Sequence, residues 1–313
     1  MWILEKIKLN IKNRRVSFET IANEWLEKKE NEIKQSTYAN YRYLINKYLI
    51  PELKEVSLKD LERYDFNKII KKWIEVLSSK TIRDIVAVLK SILRYAEDNY
   101  KINYNVSKIT IPKLEIEKIK TLSKREKTRL ENYCLKHDTL RNVGIVVCLY
   151  TGMRIGEICA IKWKNIDLEK KEIHVKATLQ RSYKKEGIGT KIIIDTPKTK
   201  DSIRNIPITN KLYEVLKSLK LKYDKEDYLL TGNKEKFIEP RNYNYEFKKT
   251  LRECKIKSYK FHVLRHTFAT DCIDVGMDVK SLSEVLGHSD VNITLNRYVH
   301  SSYNHKKKYM EKL

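Results

Sequence analysis

The sequence contains no CxxC pair, and its five cysteines, Cys134, Cys148, Cys159, Cys254 and Cys272, form an odd set. Such spacing builds neither a disulfide framework nor a structural zinc site, so buried, reduced thiols are expected. Long hydrophobic runs are also missing. The longest, Ile145 to Tyr150, falls far short of the ~20 apolar residues that a membrane helix needs. The first ten residues, MWILEKIKLN, carry charges at positions 5, 6 and 8 and so lack the unbroken apolar centre of a signal peptide. There is no internal repeat and no low-complexity tract. HVLRH at 262–266 has the histidine spacing of a zinc-protease helix without its glutamate. No motif supplies the clustered carboxylates that a divalent cation would use. These absences argue against secretion, membrane insertion and resident metal chemistry, and the expected location is cytoplasmic.

Acidic residues are scarce relative to basic ones. Asp and Glu total 41 against 65 Lys and Arg, which leaves a net charge of +24 in 313 residues. A protein this basic commonly meets a polyanion, and nucleic acid is the first candidate. The excess is spread along the chain, with +8 in residues 1–120 and +16 in residues 121–313. A single basic tail does not produce that distribution, whereas two basic domains that grip a duplex do.

Apolar periodicity divides the chain. Ser17 is placed to cap a helix with Phe18, Ile21, Ala22, Trp25 and Leu26 on one face. Ser36 is placed to cap a second, with Tyr38, Tyr41, Leu44, Ile45 and Tyr48 on its apolar side, and SLKDL at 57–61 has a third capping pattern. A longer helix is expected from Ser79 to about Asn99, striped by Ile82, Ile85, Val86, Leu89, Ile92, Leu93 and Ala96. Residues 102–120 lose this period, contain Pro112 and four lysines, and read as a basic linker. Beyond it, Ser123 and Glu126 form a capping box before a helix at about 124–136, and an apolar helix at about 139–150 ends at Thr151-Gly152. KEIHVKA, TKIIIDTP and SIRNIPIT read as strands, the last two joined as a hairpin through PKTKD. Helices are expected again after Ile208.

Three strings carry candidate chemistry. In TGMRIGEICAIKW, 151–163, Gly152 breaks one helix and Arg154 opens the next, where a guanidinium adds to the positive helix end and suits a phosphate. In FHVLRHTFAT, 261–270, His262 and Arg265 lie three apart and share a helix face, able to donate to one pair of anionic oxygens. In LGHSDVNITLNRY, 286–298, Gly287 suits a helix C-terminus, His288 adds another donor, and Tyr298 closes a short helix at about 291–298. Taken one at a time, each residue is more often a cap, a solvated face or a packing group.

Together, TGMRIGE, HVLRH, LGH and the downstream tyrosine resemble, in order and approximate spacing, the tyrosine recombinases, or phage-type integrases. The resemblance covers residues 120–300, and the segment 16–113 is similar to their helical core-binding domain. It implies a mainly α fold with a small antiparallel β-sheet: a short extension (1–15), a helical core-DNA-binding bundle (16–113), a linker (114–120) and an α+β catalytic domain with a C-terminal tail (121–313). It implies further that Arg154 and Arg265 clamp a scissile phosphate while His262 and His288 complete the donor set. Of the histidines, His262 is the implied proton acceptor. Tyr298 attacks phosphorus to form a 3′-phosphotyrosine. Lys198, with Lys200 as rival, is implied as general acid for the leaving 5′-oxygen, and Glu157 supports the site from behind. No metal, ATP or other cofactor is implied. The implied partners are double-stranded DNA recombination sites, a homotetramer assembled on paired sites and an accessory DNA-bending or directionality factor, with no membrane, so that the protein acts on the bacterial nucleoid.

Elementary chemistry agrees with that set. A phenol ionises near pH 10 and needs a base or strongly positive surroundings to attack at neutral pH. Phosphoryl transfer spreads negative charge over oxygens that two arginines and two imidazoles can hold. Tyr298 stands apart from Tyr303 and Tyr309 because it alone lies at the motif distance behind the His-Arg set. About fifteen residues precede the bundle, so an additional arm-binding domain is not expected, while the wording of TPKTKD and NITLNRYVH is closer to integrases of mobile elements. Two alternatives stay open: a non-catalytic DNA-binding regulator on the same fold, and a type IB topoisomerase-like enzyme that nicks and reseals.

Overall fold

The computed structural model describes residues 16–101, 104, 106–113, 119–183, 190–195, 203–298 and 310–311. The chain forms two compact units, Met1–Glu117 with Ser182–Lys191, and Lys118–Arg181 with Ile192–Leu313. The architecture is mainly helical with small sheets, as the sequence implied. Among the described residues no helix is long and apolar enough to cross a membrane.

In the first unit, α1 (Phe18–Glu30) begins where the Ser17 hydroxyl accepts from the Thr20 amide. All five apolar residues of its expected face are buried. The second helix differs from expectation at its start. α2 (Gln35–Leu44) is capped by Lys34 without a side-chain bond, so Ser36 lies inside the first turn, where its buried hydroxyl has no partner among the described residues. Residues Ile45–Leu49 widen into a π-helix just before α3 (Ile50–Leu53). Pro51 supplies the reason: its ring cannot sit above the carbonyl four residues back, and a wider turn relieves the clash. α4 (Leu58–Leu61) is capped by Ser57 as the pattern predicted. α5 (Phe66–Val76) and α6 (Ser79–Tyr100) complete the bundle, and the whole predicted stripe of α6 is buried. Tyr104 and Ile109 are buried in the same core. Part of the segment read as a linker therefore packs as the end of this unit, because two apolar side chains at irregular spacing leave no periodic signal.

In the second unit, α7 (Lys124–Lys136) starts at the predicted capping box, Ser123 and Glu126 bonding reciprocally. α8 (Leu140–Thr151) is buried on nearly every side and ends at Gly152, whose φ of +63° makes a left-handed cap. α9 (Ile155–Ala160) follows. β1 (Ile166–Asp167), β2 (Glu172–Val175) and β5 (Arg204–Pro207) form one sheet in the order β1-β2-β5, with Ile173 opposite Ile206. β3 (Thr178–Tyr183) and β4 (Thr190–Asp195) form a separate pair. This corrects the expected hairpin through PKTKD: β4 pairs back with β3, and β5 crosses to β2. Buried Ile173, Val175 and Ile206 explain the choice, since antiparallel pairing of β5 with β2 puts all three on the core side. Then come α10 (Asn210–Lys220), α11 (Pro240–Glu253), α12 (Val263–Asp274), α13 (Val279–Leu286) and α14 (Val291–Tyr298). Thr267 ties α12 to the start of the unit by accepting from the Leu122 amide at 2.9 Å.

Candidate active site

The site gathers where the ends of α8, α12, α13 and α14 meet β5. Two left-handed glycines shape it. The carbonyl of Gly152 accepts from Arg265 Nη1 at 2.9 Å, and the carbonyl of Gly287, φ +65°, accepts from Arg154 Nη2 at 2.7 Å. A Cβ at Gly287 would stand 2.9 Å from Arg204 Nη1. Gly287→Ala is therefore expected to destabilise the unit by roughly 1–3 kcal/mol, from backbone strain and displacement of that guanidinium, measurable by denaturant unfolding.

Arg154 is the residue that caps α9. Its amide and its Nη1 both bond Glu157, at 2.9 and 2.8 Å. Glu157 is 2 % exposed and also receives Arg204 Nη1 and Nη2, at 3.2 and 3.0 Å. Burial pushes its pKa up, but the charges and hydrogen bonds of Arg204 and Arg154 more than reverse this, and the carboxyl stays below the usual range. Arg204 also donates from Nε to the Val285 carbonyl at 2.5 Å, fastening β5 to the end of α13. Arg204 was not singled out in the sequence. Its signal was position: it lies two residues before Ile206 on the inward face of a strand, where an arginine needs a reason.

Arg265 is 1 % exposed. Its Nη2 lies 2.7 Å from His288 Nε2, while His288 Nδ1 lies 2.7 Å from Thr294 Oγ1. A guanidinium only donates, so Nε2 of His288 accepts, and its single hydrogen sits on Nδ1 and goes to Thr294. Before anything binds, the ring is neutral and supports Arg265. Burial and then Arg265 push its pKa down to about 3. Arg265 has five N–H groups, which leaves donors beyond Gly152 and His288.

Tyr298 ends α14, 7 % exposed, against Ala269, Cys272, Leu282 and Leu286. Its Oη lies 2.8 Å from Nδ1 of His266. Burial raises the phenol pKa, while Arg265 and Arg297 act against that rise. His262, at the start of α12, is exposed and makes no side-chain hydrogen bond among the described residues. Its ring stands edge-on to His266 at 4.5 Å. The structure therefore brings together Arg154, Glu157, Arg265, His288 and Tyr298, with His262 at the rim, and adds Arg204 and His266. The motif spacing assigns no part to His266, although its distance of four residues from His262 puts both on one face. Lys198 and Lys200 lie outside the described residues. No three His, Cys, Asp or Glu side chains converge to hold a metal ion among the described residues.

A buried tyrosine hydroxyl beside paired arginines, on a helical domain with this sheet, defines a tyrosine site-specific recombinase. The chain belongs to the phage integrase family: residues 110–305 match that family, and residues 17–74 match its N-terminal SAM-like domain. It is 31% identical over 324 aligned positions to a tyrosine recombinase XerC-like protein of Caldanaerobacter subterraneus, covering 93% of this chain and 81% of that one. It is 25% identical to the ICEBs1 integrase of Bacillus subtilis, covering 96% and 84%. Among solved structures, the Tn1549 transposon integrase in complex with a circular intermediate DNA superposes with a TM-score of 0.74 at 22% identity, covering 95% of this chain and 99% of that one. A lambda integrase tetramer bound to a Holliday junction gives 0.68 at 16% identity, covering 95% and 82%. Both share the fold.

Proposed function

We propose that this protein cuts and rejoins double-stranded DNA at specific sites through a 3′-phosphotyrosine link on Tyr298, without metal or ATP, as the integrase of a mobile element. The observation that carries the reading is the gathering in one unit of the buried Tyr298, of Arg265 held by the Gly152 carbonyl and His288, and of Arg154 held by Glu157 and the Gly287 carbonyl. The two arginines supply permanent charge for the phosphate oxygens, so charge that develops at phosphorus meets donors already in place. Tyr298 Oη bonds phosphorus as the P–O5′ bond breaks. The leaving 5′-oxygen takes a proton from a lysine ammonium of the β4–β5 connection, Lys198 or its rival Lys200. The 5′-hydroxyl of a partner strand then attacks the phosphotyrosine, restoring a phosphodiester and freeing Tyr298. One ester replaces another at each step, so no nucleotide hydrolysis is required. A homotetramer on two paired sites, with residues 16–113 and 121–313 as the two DNA-gripping domains, provides the four cuts of a full exchange, and an accessory bending factor sets direction.

The test is covalent trapping in EDTA. The probe is a nicked duplex copied from the joined ends of the DNA element that encodes the chain, made so that the released fragment diffuses away. A protein–DNA adduct on a denaturing gel, mapped to the Tyr298 peptide, is expected. Binding without an adduct would favour the regulator, and resealing without partner exchange on intact paired sites would favour the topoisomerase-like enzyme.

A further inference from the structure

We propose that His266, rather than His262, receives the proton of Tyr298 as the nucleophile attacks. This rests on the reading of Tyr298 given above and adds a catalytic residue to it. The geometry is direct: His266 Nδ1 is 2.8 Å from the phenol oxygen, inside the range for proton transfer, and the rings lie 5.6 Å apart at 52°. His262 makes no such contact.

The direction of the hydrogen follows from the neighbours. Arg265 and Arg297 both bear positive charge on the Tyr298 phenol, and neither can accept a hydrogen. The hydroxyl hydrogen must therefore go to an acceptor, and Nδ1 of His266 is the acceptor in contact. That places the ring hydrogen of His266 on Nε2. The charged and titratable groups facing His266 are His262 and Arg265 on its own helix, and Tyr298 and Arg297 on α14. With burial first, and then the two arginines, opposing a positive charge, His266 is held neutral and ready to accept, its pKa pushed down to about 4. A phosphate that enters between Arg154 and Arg265 offsets the positive charge that opposes imidazolium formation, so basicity rises when substrate is in place. The His262 ring packs edge-to-face against His266 at 4.5 Å.

The step balances. As the Tyr298 Oη–P bond forms and the P–O5′ bond breaks, the phenol proton passes to His266 Nδ1 and the imidazole becomes imidazolium. The leaving oxygen is protonated separately by the lysine. On religation, the phosphotyrosine bond breaks and the imidazolium returns its proton to Oη.

Asparagine at 266 keeps an oxygen near the place of Nδ1 but cannot carry the proton. His266→Asn is expected to slow adduct formation on the nicked junction duplex roughly 100-fold or more, and to remove the acid limb of its pH profile. Duplex binding and thermal melting should stay near wild type. His262→Asn should keep that acid limb. A His266→Asn enzyme with wild-type rate and pH profile, or loss of the limb only in His262→Asn, would overturn the inference while leaving Tyr298 as nucleophile. If wild-type protein gives no adduct, the functional reading fails first, and a second measurement still decides the proton's partner. In protein labelled with ¹⁵N-histidine and without DNA, His266 Nδ1, identified by the signal lost in His266→Asn, should report an unprotonated acceptor that shifts in Tyr298→Phe. A hydrogen on Nδ1 at neutral pH would overturn the proposal, because that nitrogen could not receive another.

Discussion

Tyr298→Phe is expected to lower covalent adduct formation by a factor on the order of 10⁴ or more, to the limit of detection, while the protein still folds and binds the same duplex. The change is small in structural terms. The ring stays packed against Ala269, Cys272, Leu282 and Leu286, and the hydroxyl bond to His266 is lost. That bond contributes about 1 kcal/mol, so melting should shift by no more than a few degrees. In chemical terms the change is complete, since a phenyl ring offers no lone pair to phosphorus. An adduct that persists in Tyr298→Phe at wild-type rate would place the nucleophile on another residue and sink the mechanism proposed here.

Glu157→Gln should carry the largest stability effect at the site, a loss of roughly 3–5 kcal/mol at neutral pH. Glu157 neutralises Arg204, whose side chain is 6 % exposed, and also holds Arg154. A neutral amide leaves the Arg204 charge buried without its counter-ion and gives its guanidinium one acceptor oxygen in place of two. Arg204 then loses its grip on the end of α13, and Arg154 loses the partner that aims it. Chemical denaturation should show the lost stability, and adduct formation should fall together with it. Glu157→Gln with unchanged unfolding would mean that the remaining partners of the two arginines, the Val285 and Gly287 carbonyls among them, suffice to hold them.

The same groups set the response to acid. Glu157 has a folded pKa below its unfolded value, so its contribution is complete above the unfolded carboxylate range and is lost as pH falls through the folded value. His266 and His288 are held neutral, with folded pKa values of about 4 and about 3 against 6.5 when unfolded. Below about pH 6.5 the unfolded chain takes up protons that these two rings refuse, and stability falls with pH from there down. Melting temperature measured from pH 7.5 to pH 4.5 should drop steadily, and His288→Asn should flatten part of the slope.

Much of the second unit was legible because its signals are local. Capping at Ser123, left-handed cap positions at Gly152 and Gly287, and the extent of α14 follow from residues within one or two turns. The four motifs named Arg154, His262, Arg265, His288 and Tyr298 because their spacing survives as text. The pairing of β5 with β2 was not legible. Three apolar strands of similar length offer more than one register, and the turn residues of PKTKD favour a hairpin that the core does not use. His266 was passed over for a related reason. A histidine four residues from another shares its face, but which ring meets the tyrosine depends on the angle at which α14 crosses α12.

By itself, then, the sequence determined the helical bundle, the basic charge and the order of the reactive residues, since periodicity, capping and composition act over short stretches of chain. The tertiary structure alone decided the partners: Arg204 with Glu157 across 47 positions, Arg265 with Gly152 across 113, and Tyr298 with His266 across 32. Hydrogen bonds demand placement to within a few tenths of an ångström, and only packed helices and paired strands bring distant groups to that precision.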